Sequence, residues 1–101
     1  KNWVDLLIAC WPGGSITGAP KLRSCQRLFE IEKYSRGPYC GSFIKIDWNG
    51  EFDSNILIRS FIVKNKKINI SAGCGIVSDS DPQNETEELK WKLLPLIDSL
   101  K

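Results

Sequence analysis

The sequence of 101 residues contains no histidine and no methionine, and its four cysteines include no Cys-x-x-Cys pair. The missing imidazole argues against the serine and cysteine nucleophiles that depend on a histidine base. The scattered thiols, with no histidine to join them, argue against a zinc site, which needs clustered ligands. We interpret the cysteines as reduced thiols of a cytoplasmic protein, used as small apolar side chains.

Charge of one sign and long apolar runs are also scarce. The net charge is only +2, and the densest basic group, Lys64 with Lys66 and Lys67, surrounds a predicted hairpin turn. No basic stripe of the kind that nucleic-acid binding requires is visible. No apolar run approaches the roughly 18 residues of a membrane span, and no signal peptide opens the chain. We therefore expect neither nucleic acid nor a membrane as a partner.

What the sequence does contain is ordinary globular composition, with 42% hydrophobic and 26% charged residues. Periodicity and turn residues predict helices over residues 3–9, 20–34 and 85–100, and strands over residues 40–47, 55–63 and 68–72. Hairpin turns are predicted at Asn49-Gly50 and at Asn65. This order predicts an α+β fold in which an antiparallel meander lies between helices. The chain starts at once in amphipathic sequence without methionine, which predicts a piece of a longer protein.

The predicted strand over residues 55–63 is apolar on both faces. Alternation places two apolar sets on opposite sides, Ile56, Ile58 and Ile62 on one and Leu57, Phe61 and Val63 on the other. A strand of this kind is typically covered on both sides. Arg59 falls among the second set, where an unpaired charge would be costly. We expect either a carboxylate of the protein or an anionic ligand to pair with it.

The last predicted helix carries a leucine-rich stripe and a charged edge beside it. Helical spacing predicts a buried stripe of Leu89, Leu93, Leu96, Ile97 and Leu100, with Trp91 outward. Glu85, Glu88 and Lys92 line up along the shoulder of that stripe. They can form an ordinary salt bridge between residues four apart. They can also supply hard oxygen ligands for Mg²⁺ with a positive group alongside.

The segment "PGGSITGAPKLR", from Pro12 to Arg23, has the glycines of a phosphate-binding loop but not its chemistry. Gly13 and Gly18 have the spacing of a P-loop, yet Ala19 stands where the lysine belongs. Pro20 then removes a backbone donor. The segment is therefore not a P-loop.

The same segment closely resembles the signature of chorismate-using enzymes, namely component I of aminodeoxychorismate synthase and of anthranilate synthase. The resemblance continues in order through four more blocks, "RGPYCGS", "GEFDSNILIRS", "SAGCGIVSDSDP" and "ETEELKWK". It covers almost the whole chain and corresponds to the C-terminal portion of these longer enzymes. The resemblance implies that residues 1–101 are a C-terminal fragment of a chorismate-binding domain. It also implies a four-layer α/β/β/α sandwich with antiparallel sheets around a central site.

The resemblance implies roles for eight residues. Arg59 corresponds to an arginine that binds a chorismate carboxylate, and Tyr39 to a residue lining the substrate pocket. Gly73, Cys74 and Gly75 correspond to a turn whose backbone N–H groups hold a carboxylate. The other three are Glu88 as an Mg²⁺ ligand, Glu85 as a second acidic position near the metal, and Lys92 as a catalytic lysine.

The implied activity is the Mg²⁺-dependent conversion of chorismate and ammonia to 4-amino-4-deoxychorismate, with ammonia from a glutamine amidotransferase subunit. The loop "GGSITGAPK" favours this product over anthranilate, which is the alternative. A lysine nucleophile and a first metal-binding glutamate belong to upstream motifs, so we expect these 101 residues alone not to turn over chorismate. Two hypotheses of other classes are a small dicarboxylate-binding module and an inactive structural fragment.

Overall fold

The computed structural model describes residues 2–101, which form two compact units. The first ends at Ile56, and the second runs from Leu57 to Lys101. Helices and antiparallel strands occur in both units, so the predicted α+β class is confirmed.

Helix α1, Trp3–Cys10, opens the first unit and agrees with the prediction for residues 3–9. Its start is encoded by a capping box. The Asn2 side chain accepts hydrogen bonds from the N–H groups of Val4 and Asp5, while the Asp5 carboxylate accepts one from the Asn2 N–H. These contacts satisfy donors that have no partner inside the helix.

The glycine-rich segment, predicted as a loop, contains a helical turn, α2, over Gly14–Thr17. The Thr17 hydroxyl donates to the Gly13 carbonyl at 3.2 Å, which closes this turn. Helix α3 spans Lys21–Ile31 and ends three residues before the predicted Tyr34. It ends there because Glu32 at its C-cap turns to extended backbone, with φ −79° and ψ 116°.

Strands β1, Ser42–Ile46, and β2, Phe52–Ile56, form an antiparallel hairpin in which Ser42 pairs with Ile56 and Ile46 with Phe52. The predicted Asn49-Gly50 turn is confirmed, and Gly50 has the positive φ of +88° that favours glycine. The rings of Trp3 and Phe52 stack with centroids 6.4 Å apart, which places α1 against this hairpin.

A second hairpin opens the second unit, with β3 at Phe61–Lys64 and β4 at Lys67–Ile70. Asn65 and Lys66 make its turn with φ of 52° and 59°, as expected of a two-residue hairpin loop. The single strand predicted over residues 55–63 is wrong. Strand β2 stops at Ile56, and Arg59 has a left-handed backbone with φ +53°.

This break also overturns the predicted surroundings of Arg59. Once the extended geometry is interrupted, the alternation of faces no longer applies across residues 57–60. The Arg59 side chain is exposed instead of lying among apolar neighbours. Among residues 2–101 it forms no ion pair.

Helix α4, Pro82–Asp98, begins three residues before the predicted Glu85. Asp81 caps it by accepting from the Asn84 N–H at 3.1 Å, and Pro82 suits the first helical position. In the predicted stripe Leu89, Leu93 and Leu96 are half-buried, whereas Ile97 and Leu100 are exposed. Trp91 points outward as predicted and is 72% exposed.

Exposed apolar side chains are a property of both units. Within residues 2–101 no side chain is fully buried, and large hydrophobic residues such as Ile8, Phe29 and Val77 are each at least 69% exposed. Sheets of two strands and units this small have too little interior to enclose such groups. The doubly covered sheet predicted from residues 55–63 is therefore absent. In the described part of the chain, no helix combines the length and apolarity that crossing a membrane requires.

Candidate functional site

Three of the predicted site residues lie along one edge of helix α4. Glu85 and Glu88 are three residues apart, and Lys92 follows Glu88 by four, so all three side chains share one side of the helix. The Lys92 ammonium pairs with Oε1 of Glu88 at 2.7 Å. The salt bridge that sequence spacing allowed is therefore present.

The turn Gly73–Gly75 lies beside these three residues. Nζ of Lys92 also donates a hydrogen bond to the carbonyl oxygen of Gly73, at 2.8 Å. Sγ of Cys74 lies 3.9 Å from the Glu85 carbonyl oxygen, which is a weak contact. Side chains thus attach the turn to the helix that carries the acids. We call Gly73–Gly75, Glu85, Glu88 and Lys92 the α4 cluster.

The charges of the α4 cluster favour the ionised form of Glu88. The hydrogen bond from Lys92 lowers the pKa of Glu88, and the Lys92 charge adds to that effect. Desolvation opposes these two effects of Lys92, and smaller contributions from Glu85 and from the positive charge of Arg59 lower the pKa of Glu88 further. Glu88 is therefore a carboxylate at neutral pH, and the Arg59 charge acts on it.

Glu85 provides an unsatisfied acceptor in the same place. Its Oε2 is inaccessible to solvent and has no hydrogen-bond donor within residues 2–101. Buried carboxylate oxygens are ordinarily paired with a donor or a cation. The orphaned oxygen therefore calls for a positive group that no side chain of residues 2–101 supplies.

The side chain of Cys74 is poorly suited to nucleophilic chemistry. Burial raises the pKa of the Cys74 thiol, and hydrogen bonding to Glu85 raises it further. The thiol therefore stays protonated at neutral pH, and a protonated thiol is a poor nucleophile. At Gly75, an added Cβ would meet no atom within 4 Å, so the backbone there faces open space.

Tyr39 belongs to the first unit and has its own neighbours. Cζ of Arg36 lies 6.0 Å from the centre of its ring, and Arg36 donates to both carboxylate oxygens of Glu32. Burial raises the pKa of Tyr39 to about 12, with a further contribution from hydrogen bonding to Cys40. The phenol is therefore a neutral donor at physiological pH. Our sequence reasoning missed this supporting pair, although its signal, Glu32 four residues before Arg36, was available.

The α4 cluster fits Mg²⁺ but is not a complete site on its own. Within the described residues no group of three or more histidine, cysteine or acidic side chains could hold a metal ion. Two neighbouring carboxyls remain, one with an orphaned buried oxygen. Mg²⁺ is commonly bound through one or two carboxylates, with waters and substrate oxygens completing its octahedron. The donor set therefore suits Mg²⁺.

Comparison with known proteins identifies the family to which this chain belongs. Residues 1–98 match the family described as "chorismate binding enzyme". Among curated relatives, anthranilate synthase component 1 of Acetivibrio thermocellus is 40% identical over 101 residues, which cover 100% of this chain and 20% of the relative.

Two further relatives show that both products occur among similar proteins. "Aminodeoxychorismate synthase, chloroplastic" of Arabidopsis thaliana is 48% identical over 89 residues, covering 88% of this chain and 10% of the relative. Anthranilate synthase component 1 of Bacillus pumilus is 48% identical over 85 residues, covering 84% of this chain and 17% of the relative. The chain thus spans about a fifth or less of the length of these relatives.

Proposed function

Because the chain belongs to the chorismate-binding enzyme family, we propose that it supplies part of the substrate and metal site of aminodeoxychorismate synthase component I. The observation that carries this proposal is the α4 cluster. It places two acidic side chains, one with an orphaned oxygen, beside a lysine that is bonded to the Gly73–Gly75 turn. Chorismate is a dicarboxylate, and a metal ion with backbone donors suits its charge.

In this proposal the exposed side chain of Arg59 binds one chorismate carboxylate. Its lack of an ion pair within residues 2–101 leaves its donors free for a ligand. The backbone N–H groups of the Gly73–Gly75 turn hold a carboxylate, which the open space beside Gly75 allows. Tyr39 lines the substrate pocket as a neutral hydrogen-bond donor.

Glu85 and Glu88 would hold Mg²⁺, which when bound supplies positive charge for a substrate carboxylate and for the hydroxyl that leaves the ring. The site charges balance in this arrangement. Two carboxylates and the cations Lys92 and Arg59 sum to zero, and a divalent cation with a dianionic substrate leaves that sum unchanged. The reaction is chorismate plus ammonia giving 4-amino-4-deoxychorismate plus water, with ammonia from a glutamine amidotransferase subunit.

We also propose that residues 1–101 belong to a larger four-layer α/β/β/α sandwich. The apolar side chains that both units expose support this, since other layers of such a domain would cover them. For the same reason the isolated 101 residues should not turn over chorismate. The cytoplasmic location remains a prediction, and the Arabidopsis relative is named as chloroplastic.

The second candidate function is anthranilate synthesis. Anthranilate synthase names predominate among the curated relatives, and one of them shares the 48% identity of the aminodeoxychorismate synthase. The loop "GGSITGAPK" supports aminodeoxychorismate, which is why we place that product first.

The test uses the full-length protein expressed from its native gene, with chorismate, ammonium and Mg²⁺. Chromatography of the products against both standards should show aminodeoxychorismate, and anthranilate would select the second candidate. The site variant is Glu88→Gln, and the matched control is Glu87→Gln, because Glu87 pairs outward with Lys90. Chorismate binding without any product would indicate a binding module. Absence of both would refute the proposal.

A further inference from the structure

We propose that Lys92 is a positioning residue that fixes the direction of the Cys74 N–H group through the Gly73 carbonyl. The inference rests on the proposed function, in which the Gly73–Gly75 turn holds a carboxylate. It assigns Lys92 a task in substrate binding that does not require its ammonium to touch the reacting atoms.

The first step concerns how the turn is held. Residues 71–77 belong to no helix or strand. Within residues 2–101, the hydrogen bonds that join residues 73–75 to α4 are the Lys92 bond at 2.8 Å and the weak thiol contact of Cys74. Of these two hydrogen bonds, the one from Lys92 is the stronger constraint on the orientation of the turn.

The second step concerns the peptide unit between Gly73 and Cys74. It is not among the cis peptide bonds, which precede Pro12 and Pro20, so its C=O and N–H groups point in opposite directions. A carbonyl bound to the Lys92 ammonium therefore aims the Cys74 N–H away from that ammonium. A carboxylate on this N–H and the Lys92 amine would lie on opposite sides of the peptide unit.

The third step concerns why a lysine suits this position. An ammonium has three donors on a flexible stem, and Lys92 uses two of them, one on Glu88 Oε1 and one on Gly73 O. One side chain thus joins the acidic edge of α4 to the turn. The bond also offsets the partial negative charge of the Gly73 carbonyl, which would otherwise repel an anionic substrate.

The sequence offers a direct probe of this peptide unit, because Gly73-Cys74 is its one Gly-Cys pair. In full-length protein labelled with ¹³C-carbonyl glycine and ¹⁵N-cysteine, the signal of this peptide is identified by its loss in Cys74→Ala. In Lys92→Met we expect the Gly73 carbonyl resonance to move and the Cys74 order parameter to fall from about 0.85 to below about 0.6. Lys92→Arg should preserve both, as should the control Lys90→Met, since Lys90 bonds only Glu87.

A functional readout separates positioning from catalysis. In the full-length protein from the native gene, Lys92→Met should raise KM for chorismate about tenfold or more, with kcat changed by less than about threefold. Lys92→Arg should keep KM for chorismate close to that of the unsubstituted protein. A collapse of kcat in Lys92→Arg would instead make Lys92 a catalytic residue and overturn the inference.

The two arms distinguish failure of this inference from failure of the proposed function. An unchanged peptide signal in Lys92→Met refutes the positioning role whatever the enzyme does. A shifted signal in a protein that does not use chorismate keeps the structural role and refutes the function. Where Lys92→Met does not fold, Lys92→Gln replaces it, because glutamine is one atom too short to span both acceptors and should give the same loss of order.

Discussion

Two glutamates of this chain each stand four residues before a basic residue, but the two ion pairs differ in how many carboxylate oxygens the basic side chain contacts. In the first unit, Nε and Nη2 of Arg36 donate to separate oxygens of Glu32, and both side chains are about 30% exposed. In the second unit, Lys92 reaches one oxygen of Glu88, whose side chain is 50% exposed. Its other contact goes to the backbone of Gly73.

The difference shows why equal spacing does not mean equal function. The planar guanidinium occupies both carboxylate oxygens at once, so Glu32 has its main acceptors filled. The ammonium pairs with only one Glu88 oxygen, and Glu85 on the same edge of α4 carries the orphaned oxygen. The first pair can stabilise structure around Tyr39, whereas the second can also receive a cation.

The largest expected effect comes from replacing the glutamate of each pair. Glu88→Gln in the full-length protein should lower kcat/KM for chorismate by at least about a hundredfold, since it removes a carboxylate beside the orphaned oxygen. Glu32→Gln should leave kcat/KM within about threefold. Calorimetry with Mg²⁺ should show the same contrast, and loss of Mg²⁺ binding in both variants would contradict it.

The next effect comes from replacing the basic residue of each pair, and it is measured as a change in the free energy of unfolding. Arg36→Lys should lower the free energy of unfolding by about 1 kcal/mol, because a two-point hydrogen bond to a partly buried carboxylate becomes a one-point contact. Lys92→Arg should change it by less than about 0.5 kcal/mol, since Glu88 is exposed. Denaturant unfolding measures both, and equal losses would remove the distinction between the pairs.

A smaller effect is the pH dependence around Tyr39. The hydrogen bond from Arg36 lowers the pKa of Glu32, so its stabilising contribution is present above the unfolded pKa and is lost as pH falls through the folded value. Tyr39, raised to about 12, contributes stability that is complete below the unfolded pKa and lost as pH rises through the folded pKa. Ultraviolet difference titration of the full-length protein against Tyr39→Phe should find the pKa of Tyr39 near 12. In an NMR titration, Arg36→Gln should raise the pKa of Glu32.

The smallest effect concerns the thiol of the α4 cluster. Cys74→Ala should change kcat/KM by less than about threefold, because the side chain makes only a 3.9 Å contact and the proposed carboxylate contact uses the backbone. Steady-state kinetics beside Lys92→Met would check this. A large loss in Cys74→Ala would mean that the thiol, and not Lys92, orients the turn.

Local sequence signals predicted the presence of helices and turns better than they predicted where strands end. The helix that starts at Trp3, the Asn49-Gly50 turn and the outward Trp91 agree with the structure because each depends on neighbours within a few residues. The strand over residues 55–63 was wrong because its apolar pattern carried no sign of the left-handed backbone at Arg59. Alternation describes a strand only while the backbone stays extended.

The sequence by itself determined that Glu85, Glu88 and Lys92 share one helical edge, since the helical repeat brings residues three and four apart together. It also determined the family, through motifs spread along the chain. Only the tertiary structure decided that Lys92 reaches the Gly73 carbonyl nineteen residues earlier, that a buried oxygen of Glu85 has no donor among residues 2–101 and that Arg59 is exposed. Such contacts depend on how separate segments approach in space, and spacing along one helix or strand carries no record of that approach.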